Sequence, residues 1–213
     1  MSSVAVIDYG MGNLHSIEKA LQHAAPEVDV QIVSDAAAIQ QADRILFPGV
    51  GAIRDCMLAL DDSGLSAVIK DVAKTKPFLG ICLGMQALLT DSEENDQTAC
   101  LDVFQGHVEH FPKDLLDDKG ERLKIPHMGW NQVKQKPHPL WEGIPQNSRF
   151  YFVHSYFVKP NNENDTIAST DYPQSFTSAL AKDNIFAVQF HPEKSQTVGL
   201  QLLKNFLSWD GKV

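Results

Sequence analysis

Positive charge is in short supply: 18 Lys and Arg against 27 Asp and Glu leave a net charge of −9 over 213 residues, and no segment gathers a basic cluster. This argues against nucleic acid and against an anionic membrane surface as partners, because both select basic faces. Long apolar runs are missing as well. No stretch approaches the ~18 consecutive apolar residues that a membrane-spanning helix needs, and the start Met-Ser-Ser-Val-Ala-Val-Ile-Asp lacks the basic region of an export signal. Cysteine is scarce and odd in number. Cys56, Cys82 and Cys100 cannot all pair, and a chain of this length buries roughly 70% of its extended surface without covalent staples. Reduced thiols and a cytoplasmic location are therefore expected. No internal repeat and no linker-like stretch divides the sequence, so residues 1–213 are expected to form a single domain.

What is present is alternation. Val4 to Ile7 is a short β-branched run that stops at a glycine turn, after which Leu14, Ile17, Leu21 and Ala24 recur at helical spacing. Val28 to Val33, Ile45 to Phe47 and Phe78 to Ile81 read as further strands. Helical patterns lie between them over Ala36 to Gln41, Ile53 to Leu60 and Leu65 to Ala73, and after Cys82 through Met85 and Leu88. Such βα units imply an α/β fold, with a mostly parallel open sheet flanked by helices. Beyond residue 96 the texture changes to short runs broken by Pro, Asn and Gly: Val103 to Val108, Trp130 to Val133, Phe150 to Val153, Ser155 to Val158, Thr166 to Thr170 and Phe176 to Ala181. These are expected as antiparallel strands added to the sheet in the C-terminal half. Ile185 to Phe190 supplies one more apolar strand, and Val198 to Trp209 a closing amphipathic helix.

In an open α/β sheet, ligands sit beyond the carboxyl ends of the strands. Three segments stand there: Pro48-Gly-Val-Gly51, Gly80-Ile-Cys-Leu-Gly84 and His191-Pro-Glu193. The second has the form of a nucleophile elbow, in which flanking glycines permit a sharp strand-to-helix turn around an exposed nucleophile. A sulfur at a helix N-terminus is favoured as thiolate. The competing account makes Cys82 a small buried apolar side chain and the glycines packing residues. His191 and Glu193 favour the nucleophile: in an extended segment, residues two apart point to the same side, so Glu193 can orient the imidazole. Gly49 and Gly51 free the Val50 amide to act as an oxyanion donor beside that of Leu83, although an ordinary glycine turn is the simpler account of that loop taken alone. An Ala at either glycine is expected to lower turnover with little change in stability. His107 and His110 lie in a β-rich stretch where their spacing does not converge, so no metal site is expected.

Taken together, Gly80-Ile-Cys-Leu-Gly-Met-Gln86 and Phe190-His-Pro-Glu193 resemble the class I, triad-type glutamine amidotransferases. Asp8-Tyr-Gly-Met-Gly-Asn-Leu14, Pro126-His-Met-Gly-Trp-Asn131, Tyr151-Phe-Val-His-Ser-Tyr156 and His191-Pro-Glu-Lys-Ser195 narrow the likeness to the glutaminase subunits of imidazole glycerol phosphate synthase. The motifs run in family order from residue 5 to beyond 200. The resemblance implies a flavodoxin-like sheet, no cofactor, and a cysteinyl thioester formed from L-glutamine by Cys82, His191 and Glu193. It further implies that Gln86, Glu94, Ser155 and Tyr156 hold the substrate, and that Asn13, His127, Met128, Trp130, Asn131, Tyr151 and Lys194 meet a cyclase subunit. That partner would take the ammonia to make imidazole glycerol phosphate and AICAR from PRFAR. Ser155 stands where serine or threonine would serve, and Ile53 where the family often has an aromatic. A freestanding cysteine hydrolase acting on γ-glutamyl or peptide bonds, and a noncatalytic binding module, are the alternatives; the second usually lacks a triad residue, and here all three are present.

Overall fold

The four innermost strands are apolar along nearly their whole length because helices cover the sheet on both faces, leaving no wet side for polar residues. They are Ser3–Ile7, Arg44–Gly49, Phe78–Cys82 and Ile185–Val188. The computed structural model describes residues 2–116 and 119–212, a range that contains every candidate site residue. The order Asp29–Val33, Ser3–Ile7, Arg44–Gly49, Phe78–Cys82, Ile185–Val188 is parallel throughout, and Gln174–Lys182, Tyr156–Pro160 and Gly106–His110 continue it antiparallel. The fold is thus α/β, mostly parallel in its first half with antiparallel additions in its second. Alternate residues of a strand feed opposite cores. Val4 and Val6 join Phe152, Phe186 and Phe206 on one face, whereas Ala5 and Ile7 join Phe47, Phe78 and Leu88 on the other.

Three expectations need correction. His127–Gln132 and Arg149–His154 do not extend the main sheet; they pair with one another as a separate antiparallel ribbon, with Trp130 opposite Tyr151 and His127 opposite His154. The helix after Cys82 is a single turn, Leu83–Gln86, and does not run through Leu88. Its continuation is capped from outside, since the amides of Leu101, Asp102, Val103 and Phe104 donate to the carbonyls of Ala87, Leu88 and Leu89. For the same reason Val103 is not in a strand, which begins only at Gly106.

Register then places the chemistry. Gly49 lies opposite Cys82, and Val188 opposite Ile81, so all three strand ends open at one edge. The closing helix Gln196–Ser208 packs against Leu14–Ala24 and against the Pro192–Lys194 turn, holding that turn on the same edge.

Candidate active site

Cys82 ends its strand with φ +54° and ψ −111°, a left-handed backbone that a β-carbon disfavours by about 1–3 kcal/mol. The surroundings enforce it. A β-carbon on Gly84 would lie 2.0 Å from the Phe47 carbonyl oxygen, so the elbow can approach its neighbouring strand only with glycine there; one on Gly80 would sit 3.1 Å from Ala187 Cβ, a tight fit. Cys82 thereby lines a cavity of about 310 Å³. Cys56 and Cys100 differ: burial pushes both thiols up to about 12, which leaves them neutral and unreactive near pH 7.

His191 faces the same cavity. Its Nδ1 lies 2.8 Å from Glu193 Oε1, and the two side chains are only 3% and 2% exposed. The link is not made in an extended segment, as expected from the sequence; Pro192–Lys194 is a 3-10 turn, and its tightness brings Glu193 back under the ring. Ser195 braces that turn, donating to the His191 carbonyl at 2.6 Å and accepting from the Tyr151 amide at 3.0 Å. The other ring nitrogen, Nε2, is shielded from solvent, has no nitrogen or oxygen partner among the described residues, and is left to Cys82. Burial alone would depress the imidazole's pKa, but the negative charges of Cys82 and Glu193 outweigh it and raise the value to about 10. The protonated imidazolium is the state these neighbours favour.

Val50, Gly51, Leu83, Gln86, Glu94, Ser155, Tyr156 and Lys194 also line the cavity, with Pro126, Val153 and His154. Gln86 Nε2 is spent inside the protein on Tyr156 O (3.1 Å) and Gln189 Oε1 (2.9 Å), so only its carbonyl oxygen is left to meet a ligand. Glu94 Oε2 accepts from the Ile53 amide, which keeps the carboxylate at the pocket edge. The Tyr156 hydroxyl is made harder to ionise by burial and then by Glu94 and Glu93, so this end of the cavity suits a cation. A larger open groove of about 1000 Å³, between Lys113, Arg122, Lys124 and Tyr172, touches this cavity only at Pro126 and includes none of the three residues.

Gly49 lies beneath the wall, where an added β-carbon would sit 2.5 Å from Tyr9 Oη and 2.9 Å from Leu83 Cβ. The expectation that an Ala there leaves stability alone is therefore wrong. At Gly51, with φ +107°, a side chain would meet backbone strain as well as Met11 Cε at 2.7 Å.

Of the residues expected at a partner contact, Asn13, Met128, Trp130 and Lys194 are on the surface, with Met128 62% exposed. Trp130 stacks edge-on to Tyr151 at 6.1 Å, and Lys194 Nζ lies 5.9 Å over the Tyr151 ring. His127 is not on that face: it is turned inward between Phe152 and Tyr172, because strand alternation sends it opposite to Met128. Asn131 is half-buried, bridging His127 and the Asp171 carbonyl. Sequence reasoning passed over two residues, His154 and Gln189. The signal for Gln189 was available: a polar side chain inside the apolar run Ile185 to Phe190 must find a partner. Among the described residues no group of His, Cys, Asp and Glu could hold a metal ion, and no helix is long and apolar enough to cross a membrane.

The chain matches the family model for class I glutamine amidotransferases over residues 5–209. Among curated relatives, an imidazole glycerol phosphate synthase subunit HisH from Methylococcus capsulatus is 58% identical, covering 99% of this chain and 98% of its own length. The subunit HisH 1 of Pseudomonas aeruginosa is 56% identical over 100% and 99%. Among solved structures, a putative GMP synthase subunit from Thermoplasma acidophilum aligns with a TM-score of 0.70 at 23% identity, over 97% of this chain and 92% of that one. PurLQS from Thermotoga maritima aligns with 0.70 at 14% identity, over 97% of each. These last two carry the fold alone. By sequence the chain belongs to the class I glutamine amidotransferases and, within them, to the family of HisH subunits of imidazole glycerol phosphate synthase.

Proposed function

We propose that residues 1–213 form one cytoplasmic amidotransferase domain that hydrolyses L-glutamine at Cys82 and hands the ammonia to a cyclase subunit. The observation that carries this reading is the meeting of an elbow cysteine with a buried His191–Glu193 pair at one cavity, in a chain of this family. Cys82 Sγ attacks the side-chain carboxamide carbon, the carbonyl electron pair moves onto oxygen, and the Val50 and Leu83 amides take up that charge. His191 Nε2 gives its proton to the departing ammonia. A water, deprotonated by the same nitrogen, then cleaves the thioester and releases glutamate. Glu193 holds the imidazole in the tautomer this requires. Glu94 faces the substrate ammonium, helped by the Gln86 carbonyl oxygen, with Ser155 and Tyr156 closing the other side. The reading invokes no cofactor.

Asn13, Met128, Trp130, Asn131, Tyr151 and Lys194 form the docking face for the cyclase, which turns PRFAR and ammonia into imidazole glycerol phosphate and AICAR; His127 supports it from inside. Free ammonia is wasted, so the lone chain is expected to be nearly idle. The test measures glutamine hydrolysis alone, with the cyclase subunit, and with cyclase plus its nucleotide substrate, for wild type and Cys82→Ala. Stimulation of about a hundredfold corresponds to ~3 kcal/mol of coupling. Full activity of the lone chain would favour the freestanding hydrolase, and activity retained by Cys82→Ala would remove the nucleophile.

A further inference from the structure

Gln189 follows the apolar Ile185–Val188 strand, is wholly buried, and has no role in the reaction as described above. Both ends of its carboxamide are engaged inside the protein: Oε1 lies 2.9 Å from Gln86 Nε2, and Nε2 lies 3.6 Å from Cys82 Sγ. Which end meets the sulfur follows from what the neighbours can do. The Tyr156 carbonyl can only accept, so Gln86, 3.1 Å away, must present its amine there. The second N–H of that amine faces Gln189, which must answer with oxygen. Its own amine is thereby left toward Cys82. The anchoring carbonyl is itself pinned from a second side by His154 Nδ1 at 2.7 Å, and His154 Nε2 in turn meets His127 Nδ1 at 2.9 Å.

We propose that Gln189 is a positioning residue for the nucleophile, donating an N–H to the Cys82 sulfur from an orientation locked by Gln86 and the Tyr156 carbonyl. The proposal rests on the reading of Cys82 as the reacting thiol. A donor to a charged acceptor favours the charged form and fixes its direction, so Gln189 holds the thiolate on the cavity side of the elbow. The titratable groups around the sulfur are His191 and Tyr9, which interact with it electrostatically, and Glu94, His154 and Lys194, which line the same cavity. Gln189, unlike these groups, carries no titratable proton. Its contribution does not titrate and is the same whatever the charge on His191.

The experiment follows iodoacetamide modification of the full-length chain as a function of pH, with the labelled cysteine mapped by mass, in wild type, Gln189→Met and Gln189→Glu. Met keeps the length and removes the donor. Glu keeps the shape and the acceptor toward Gln86 but turns an oxygen to the sulfur. The pH midpoint for Cys82 labelling is expected to rise in Gln189→Met by about one unit, a tenfold shift of the thiol equilibrium, and further in Gln189→Glu. A packing role predicts the reverse order, with the near-isosteric Glu closest to wild type. If Gln189→Glu does not fold, the Met variant decides alone. An unmoved midpoint in Gln189→Met overturns the proposal while leaving Cys82 as nucleophile. Wild-type label on Cys56 or Cys100 instead of Cys82 overturns the nucleophile reading itself.

Discussion

The three cysteines, two buried and one partly so, do not share a fate. Burial keeps Cys56 and Cys100 neutral, with both thiols pushed up to about 12, whereas Cys82 has an imidazole held opposite by Glu193. The pair is mutual, so His191 reports on it. Burial pulls the imidazole down, and the Cys82 and Glu193 charges more than reverse this. A folded-state value raised above the unfolded one, about 6.5, contributes stability that is complete below pH ~6.5 and is withdrawn as the pH climbs toward 10. Removing the sulfur's charge leaves burial less opposed. In Cys82→Ser the His191 imidazole should titrate about 1–3 pH units lower than in wild type, measured by NMR of the ring protons. An unshifted titration would mean that Glu193 alone sets the value.

Among elements, the Arg44–Gly49 strand and its loop invite comparison with the elbow beside them. Both rely on glycine, for different physical reasons. Gly84 is excluded from carrying a side chain by backbone, a carbonyl 2.0 Å from the would-be Cβ, while Gly49 is crowded by the Tyr9 hydroxyl and Leu83. That hydroxyl is fixed by donating to the Pro48 carbonyl at 2.9 Å, so Tyr9 is the clamp under the loop that carries Val50. Gly49→Ala should cost about 1–3 kcal/mol by overpacking, together with a loss of turnover. Tyr9→Phe should cost about 1 kcal/mol in thermal or urea melts and lower kcat more than it changes KM, because the loop loses its clamp while the pocket keeps its lining. Turnover unchanged in Tyr9→Phe would make the clamp purely structural.

At the scale of the whole molecule, three further histidines act against His191. His127, His138 and His154 are held neutral by burial, with values lowered to about 4, 4 and 3. The unfolded chain takes up protons at all three near pH 6.5, the folded chain does not, and stability therefore falls as the pH drops from 6.5 toward 4. The opposed trends place greatest stability near neutrality. Each histidine contributes a slope of up to about 1.4 kcal/mol per pH unit in that window. His138, whose Nδ1 accepts from the Leu140 amide, is the most separable from the active site. His138→Asn should flatten the acid limb of urea midpoints measured from pH 7 to pH 4, whatever its effect at pH 7. An equally steep limb would assign the acid sensitivity elsewhere.

Much was legible in the sequence by itself. The inner strands announced themselves as unbroken apolar runs because a strand covered on both faces can keep nothing polar. The elbow was visible as Gly80, Cys82 and Gly84, where close approach at Gly84 admits only glycine, and the family was visible in motifs spread from residue 5 to beyond 200. Tertiary structure alone decided the rest. The ribbon of His127–Gln132 with Arg149–His154, the inward turn of His127, the one-turn helix after Cys82 and the bridge from Gln189 to Cys82 all depend on partners remote in the chain. Gln189 and Cys82 are 107 residues apart, and Gln189 and Gln86 are 103. Periodicity records which face a residue takes within its own element, but the partner that a buried polar group finds there is set by packing between elements.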